Sequence, residues 1–271
     1  MQPWKNCAIS YLNVALDTVV QPASPVASQA ARDEKSAIAK APEVAEEELT
    51  AQQWFERGIS SKDQNEKLRF LSNAINLKPD FTEALSSRGY AHIVLGDLDG
   101  ALADYDEAIR LKPDYPNAYA GRSQARQLKG DSDGALQDYN EAIRLTPGDA
   151  RSFNNRGNAR RNRGDVEGAI SDYNQAIRLQ PGYALAFINR GIANEAKGNI
   201  EVAIADYNEA IRLKPDFTEA FNLRGILRGN KGELDGALSD FNEAIRLKPD
   251  FVEAMANRGR VLKAIAERSK S

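Results

Sequence analysis

The chain has 271 residues, 42% of them apolar and 28% charged, with a formal net charge of −3. That balance is ordinary for a soluble polypeptide and argues against a polybasic nucleic-acid surface or a block of like charge for a membrane. One cysteine, Cys7, excludes an internal disulfide framework or a cysteine-built metal site; one histidine, His92, leaves little for acid–base chemistry; and no run of eighteen apolar residues could cross a membrane.

Residues 7–20, CAISYLNVALDTVV, are moderately apolar and follow Lys5, and Ser28-Gln29-Ala30 has the small-residue character of a cleavage site. Asn13 and Asp17 interrupt the apolar run and the basic region is a single lysine, so a short helix or unstructured lead is favoured over a secretory signal. Residues 21–48 are rich in Ala, Pro, Ser and Glu, and cannot bury enough surface to offset their ordering entropy. Residues 1–48 are therefore read as an extension and flexible linker ahead of a domain at 49–271. A cytoplasmic location is expected, with secretion the alternative if residues 1–30 are a signal peptide.

Residues 49–80 form a degenerate first repeat, carrying Trp54, Gly58, Leu71, Ala74 and Pro79. Three residues are missing around Ser60–Asn65 relative to the later repeats, which predicts a short or distorted first hairpin. From residue 81 the sequence copies itself every 34 residues, as 81–114, 115–148, 149–182, 183–216 and 217–250, each closing on a variant of AIRLKPD. In 81–114 the first helix carries Ala84, Leu85, Gly89 and Ala91, Gly96-Asp97 supplies the turn, and the second helix shows Leu98, Ala101, Leu102, Tyr105, Ala108 and Ile109 at spacings of three and four. Pro113 then ends the unit. Small residues recur at one slot of the first helix (Gly89, Ser123, Gly157, Gly191, Gly225, Gly259), and large rings at one slot of the second (Tyr105, Tyr139, Tyr173, Tyr207, Phe241). Interdigitation of small and large is expected there, with the rings as core. Residues 251–268 match a first helix alone and are read as a cap.

A 34-residue period with these small, aromatic, alanine and proline slots resembles the tetratricopeptide repeat family over residues 49–271. The resemblance implies an all-α, right-handed superhelical solenoid of antiparallel helix pairs, six pairs plus a C-terminal capping helix. Its concave groove, lined by first helices, would hold a peptide or partner protein, with no cofactor and as a monomer.

Specificity is then expected in the variable slots of the first helices. The candidate groove residues are Asn154, Asn155, Asn158 and Arg161 in one unit, Ile188, Asn189 and Ile192 in the next, and Asn222, Leu223 and Ile226 in the third. Asparagine can both donate to and accept from a peptide backbone, and arginine can hold a carboxylate through two bonds. Asn189 and Ile192 are read as lying outside the packing slots. The clamp by which chaperone-binding members of the family hold a C-terminal carboxylate is not reproduced, since Glu219 and Leu223 stand where cations are needed. An asparagine column as in the solenoid of O-linked N-acetylglucosamine transferase is partly matched by Asn155, Asn189 and Asn257.

Each first helix also carries an arginine before the small slot, from Arg57 through Arg258, and each full second helix an aspartate beside the ring, Asp104 through Asp240. An ion-pair ladder is expected. No nucleotide-binding, metalloprotease or serine-hydrolase motif occurs, so no catalytic residue, metal site or enzyme activity is expected. Two alternatives stand beside the scaffold. One is a regulatory or targeting adaptor tethered through residues 1–48. The other is polyanion (RNA) binding through Arg126, Arg160, Arg161 and Arg163, which the net charge disfavours.

Overall fold

The structure is a computed structural model that describes residues 49–269. The linker and signal-peptide readings of residues 1–48 fall outside those residues. The described residues are helical with no strand, and divide into two compact units, one ending at Pro147 and the other starting at Gly148.

The first unit holds three helix pairs: α1 (Ala51–Ser60) with α2 (Gln64–Leu77), α3 (Thr82–Leu95) with α4 (Leu98–Leu111), and α5 (Pro116–Leu128) with α6 (Ser132–Leu145). The second holds α7 (Ala150–Asn162) with α8 (Val166–Leu179), α9 (Ala184–Ala196) with α10 (Ile200–Leu213), α11 (Thr218–Asn230) with α12 (Leu234–Leu247), and then the single helix α13 (Val252–Arg268).

The turn inside each pair is local chemistry. Gly96, Gly130, Gly164, Gly198 and Gly232 all sit at φ between 80° and 86°, where a side chain would be strained. The next residue caps the second helix: Asp97, Asp131 and Asp165 each accept from the backbone N–H three residues on, at 2.9 Å. The degenerate first pair lacks such a glycine. There α1 is only ten residues long, starts on a Thr50–Gln53 capping box and ends at Ser61 in extended backbone, so the missing residues shorten the helix itself.

Packing within a pair follows the small–large slots. A Cβ on Gly157, Gly191 or Gly225 would come within 2.5–2.8 Å of the Tyr173, Tyr207 or Phe241 ring. The rings are buried, as are the alanines at the second-helix contact, Ala169, Ala203 and Ala237. Close-packed interiors tolerate little added volume, so the glycines set the separation between paired helices.

The expected ion-pair ladder is present. Arg88, Arg122, Arg156, Arg190 and Arg224 each hold the carboxylate sixteen residues on in a two-pronged grip, with Nη2–Oδ1 distances of 2.5–2.7 Å. Four of these guanidiniums also lie over the ring three residues earlier, as Arg190 does over Phe187 at 5.3 Å. A second basic side chain reaches the same aspartate from one turn along the helix: Arg126, Arg160 and Arg228 at 2.9 Å, and the His92 imidazole at 3.7 Å. Asn194 occupies that position in α9, leaving Asp206 to Arg190 alone among the described residues. The aspartate side chains are buried while the arginines are part-exposed. These pairs are therefore not the weak surface bridges that an exposed ladder would give: removing one partner strands a buried charge.

Candidate binding surface

All ten candidate groove residues belong to the second unit, on α7, α9 and α11. The first helices of adjacent repeats meet through residues 35 apart, one more than the repeat length. Asn189 Nδ2 donates to Asn154 Oδ1 at 2.9 Å, tying α9 to α7. Asn257 Nδ2 donates to Asn222 Oδ1 at 3.1 Å, tying α13 to α11. Between them, in the same relation, stand Ile188 and Leu223, both buried in one apolar cluster. The three successive positions thus alternate amide, aliphatic, amide.

Asn154, Asn189, Asn222 and Asn257 are accordingly closed off, none more than 1% exposed. The expectation that Asn189 stands outside the packing does not hold: its amide is committed to α7. The column of Asn155, Asn189 and Asn257 is likewise not a contact series, because hydrogen-bonded partners fall in different columns. A buried amide that is paired with another satisfies its polar atoms at the cost of its freedom to bind a ligand.

Toward the ends of α7 and α9 the side chains open out, at Arg161, Ile192 and Glu195. Asn158, itself buried, accepts a hydrogen bond from the Tyr173 hydroxyl at 2.7 Å. Glu195, one position beyond the ladder, accepts from the Tyr207 hydroxyl at 3.2 Å. Arg161 sits where its charge eases the ionisation of both tyrosines, and its Nη1 is buried with no hydrogen-bond partner. Burial nevertheless pushes both hydroxyls well above the ordinary tyrosine range, so they act as neutral donors and acceptors. Burial also raises Glu195, partly opposed by the bond from Tyr207. The equivalent ring in α6, Tyr139, is pushed up to about 12 by burial.

Ile192 is half-buried beside this cluster, and Ile226 and Leu223 are buried with the apolar cluster of the unit. The result is a strip with Arg161, whose Nη1 has no hydrogen-bond partner among the described residues, a partly desolvated carboxylate at Glu195 and the half-buried Ile192, with the two tyrosine hydroxyls buried behind it. The core reading of the tyrosines holds: Tyr173 and Tyr207 are fully buried, their rings against glycine and their hydroxyls donated to Asn158 and Glu195. Of the four arginines considered for polyanions, Arg126 and Arg160 are held on Asp138 and Asp172. Among the described residues no cluster of His, Cys, Asp and Glu could hold a metal, and no helix is long and apolar enough to cross a membrane.

Three family models match: tetratricopeptide repeat over residues 154–216, TPR repeat over 89–130, and tetratricopeptide repeat over 218–251. None of the curated proteins matches this sequence. Among solved structures, the chain resembles one in the APC/C hetero-tetramer Cut9–Hcn1, at TM-score 0.70 and 20% identity, over 79% of this chain and 43% of that one. It thus spans less than half the length of that relative. It also resembles YrrB, described as a TPR protein with an unusual peptide-binding site (TM-score 0.53, 20% identity, 70% and 97% covered). A third is TTC0263 of Thermus thermophilus, described as a thermophilic TPR protein (TM-score 0.55, 23% identity, 67% and 98% covered). The period, the glycine–ring contacts, the family matches and the shared fold agree, and the chain belongs to the tetratricopeptide repeat family.

Proposed function

We propose that this chain is a non-catalytic scaffold that holds a peptide segment of a partner protein on the first helices α7, α9 and α11. The observation that carries the reading is Arg161, a buried guanidinium nitrogen without a protein acceptor, beside two tyrosine hydroxyls and the Ile192 side chain. An unmet buried donor costs about 1–3 kcal/mol, and a ligand carboxylate or carbonyl would relieve it. Glu195 lies one repeat away and would accept a ligand cation or backbone N–H. Opposite charges at a fixed separation set the direction in which a peptide lies. Aliphatic ligand side chains would cover the half-buried Ile192, contributing about 25 cal/mol per Å² of apolar surface removed from water. The peptide-binding site named for YrrB supports the reading by likeness of fold. Arg161 and Ile192 are the groups to perturb, since Asn154, Asn189 and Asn222 are held in the fold.

The test is selection of peptides from a random displayed library on the full chain, followed by titration on Arg161→Ala and Ile192→Ala. The expected result is an enriched motif with an acidic residue next to an aliphatic one, bound at least tenfold more weakly by each variant at unchanged melting temperature. Enrichment of nothing, or affinity in both variants equal to that of the unsubstituted chain, refutes the assignment.

A further inference from the structure

Second helices α4, α6, α8 and α10 carry tyrosine in the ring slot, and three of the four hydroxyls find a partner inside their own repeat. Tyr139 donates to Gln127 at 3.5 Å and Tyr207 to Glu195 at 3.2 Å, each twelve residues earlier, and Tyr173 donates to Asn158 at 2.7 Å. Twelve residues before Tyr105 stands Ile93, which has nothing to accept with. The Tyr105 hydroxyl makes no hydrogen bond among the described residues, although the residue is only 3% exposed. Its ring is held between two glycines: a Cβ on Gly89 of α3 would come within 3.0 Å of it, and one on Gly121 of α5 within 2.3 Å. In α9 and α11 the slot of Gly121 holds Asn189 and Leu223. Glycine at 121 thus leaves the hydroxyl end of Tyr105 without a side chain from that position, and its oxygen is not sealed off. Two more tyrosines come to the same place. Tyr90 and Tyr115 are near enough that their ionisation would oppose that of Tyr105. Burial raises all three hydroxyls above the ordinary tyrosine range, so they are neutral donors and acceptors. Tyr115 already has Asn117 and Ser86 beside its hydroxyl and Lys112 over its ring at 5.2 Å. Tyr90 is half-buried and makes no hydrogen bond among the described residues. Glu83, exposed in the first turn of α3, is close enough to bear on Tyr115 and has no ion pair among the described residues.

We infer that this tyrosine cluster on α3, α4 and α5 binds a proline-rich segment of a partner protein in the polyproline conformation, with a lysine or arginine beside the prolines. The hydroxyls of Tyr105 and Tyr90 each have a proton to give to a ligand carbonyl. A helical ligand has its carbonyls bonded within itself, and an extended strand brings N–H groups that must be met as well. A polyproline segment brings bare carbonyls and, at each proline, no N–H. Its pyrrolidine rings pack on the open Tyr90 ring, the way aromatic-lined grooves hold such segments. Gly121 has no side chain to keep the ligand backbone from the Tyr105 hydroxyl. Charge selects further: Glu83 takes the ligand cation and repels an acidic segment. This site lies within the first unit and does not depend on Arg161.

The probe is a fluorescein-labelled peptide of about nine prolines, roughly three polyproline turns, closed by a lysine. A glycine–serine peptide of the same length with the same lysine, and the proline peptide closed by glutamate, are the controls. Each is titrated by fluorescence anisotropy into the full chain. Saturable binding of the proline–lysine peptide is expected, at least tenfold tighter than the glycine–serine control and tighter than the glutamate form. The double variant Tyr90→Phe with Tyr105→Phe keeps both rings, and Phe241 shows that the ring slot accepts phenylalanine. Its circular-dichroism melt should match that of the unsubstituted chain while the peptide binds at least tenfold more weakly. Glu83→Gln should erase the preference for lysine over glutamate, and Arg161→Ala should bind the peptide as the unsubstituted chain does. No saturable binding, or equal affinity in the double phenylalanine variant, overturns the proposal. Loss of binding in Arg161→Ala overturns it by placing the peptide on the other strip, and tighter binding by a peptide of residues 21–48 overturns it in favour of an occupant from the chain itself.

Discussion

Gly191 and Gly259 occupy the same slot of the repeat, yet the same substitution should move stability in opposite directions. Replacing glycine by alanine inside a helix gains about 0.5–1 kcal/mol when the new methyl meets no obstacle. Gly259 has no atom within 4 Å, so Gly259→Ala should realise that gain. At Gly191 the methyl would lie 2.5 Å from Tyr207 Cε1, whereas ordinary contact begins at 3.4 Å. The ring is fully buried, so α9 and α10 must part or the ring must leave its rotamer. Such overpacking costs about 1–3 kcal/mol, which exceeds the helical gain. A net loss of about 0.5–2 kcal/mol is expected, and in a chain of this size each kcal/mol moves the midpoint by about 2–4 °C. Thermal melts followed by circular dichroism, with urea titration as a second measure, read both variants against wild type. Amide exchange along α13 reads the Gly259→Ala gain locally, beside the global melt. A stabilised Gly191→Ala, or equal effects at the two sites, would refute the account of glycine as the spacer between paired helices.

Arg190→Ala should cost about 3–5 kcal/mol and more than Arg224→Ala, because Asp206 has no second cation while Asp240 keeps Arg228 at 2.9 Å; urea midpoints of the two variants decide it. Asn189→Leu alone should destabilise by about 1–3 kcal/mol by leaving the buried Asn154 Oδ1 without its donor, and the double change Asn154→Ile with Asn189→Leu should recover most of that loss by copying the residues of the Ile188 and Leu223 positions, which a double-mutant cycle measures. Burial raises the Glu195 carboxyl, so the folded state disfavours its charge: the penalty is absent below the ordinary carboxylate range and reaches its full size above the raised folded value. Glu195→Gln should therefore raise the melting temperature at about pH 7 and make no difference at about pH 3.5, below the ordinary carboxylate range, with a melt series across that window as the check.

Much of the fold can be read from the sequence because its determinants recur at one spacing. The 34-residue period, the glycine opposite each ring, and the arginine sixteen residues before its aspartate all belong to contacts inside one repeat, so aligned columns display them. The binding surface is less legible for a geometric reason. First helices of neighbouring repeats meet through residues 35 apart, so Asn154 and Asn189 fall in different columns, and their pairing is invisible to an alignment of equivalent slots. An asparagine also looks the same in sequence whether it faces a ligand or a partner helix. Burial alone separates Asn154 and Asn189 from the more open Arg161 and Ile192. The tyrosines carry more than the slot announces: the ring packs against glycine, while the buried hydroxyl of Tyr173 or Tyr207 finds a partner in Asn158 or Glu195 that the phenylalanine at Phe241 has no group to make. The second basic side chain of the ladder does leave a signal, a basic residue at 92, 126, 160 and 228 interrupted by Asn194.

Site-specific photo-crosslinking asks most directly where partners sit. A benzophenone side chain is placed at Ile192, on the strip formed by the first helices, and in a second version at Arg178, exposed on the second helix α8. Each full chain is irradiated in lysate of the source cells. A partner held on the first helices gives discrete higher-mass adducts from position 192 that Arg161→Ala suppresses, and none from position 178. Adducts from 178 with none from 192 would contradict that placement and move the interaction to the second helices.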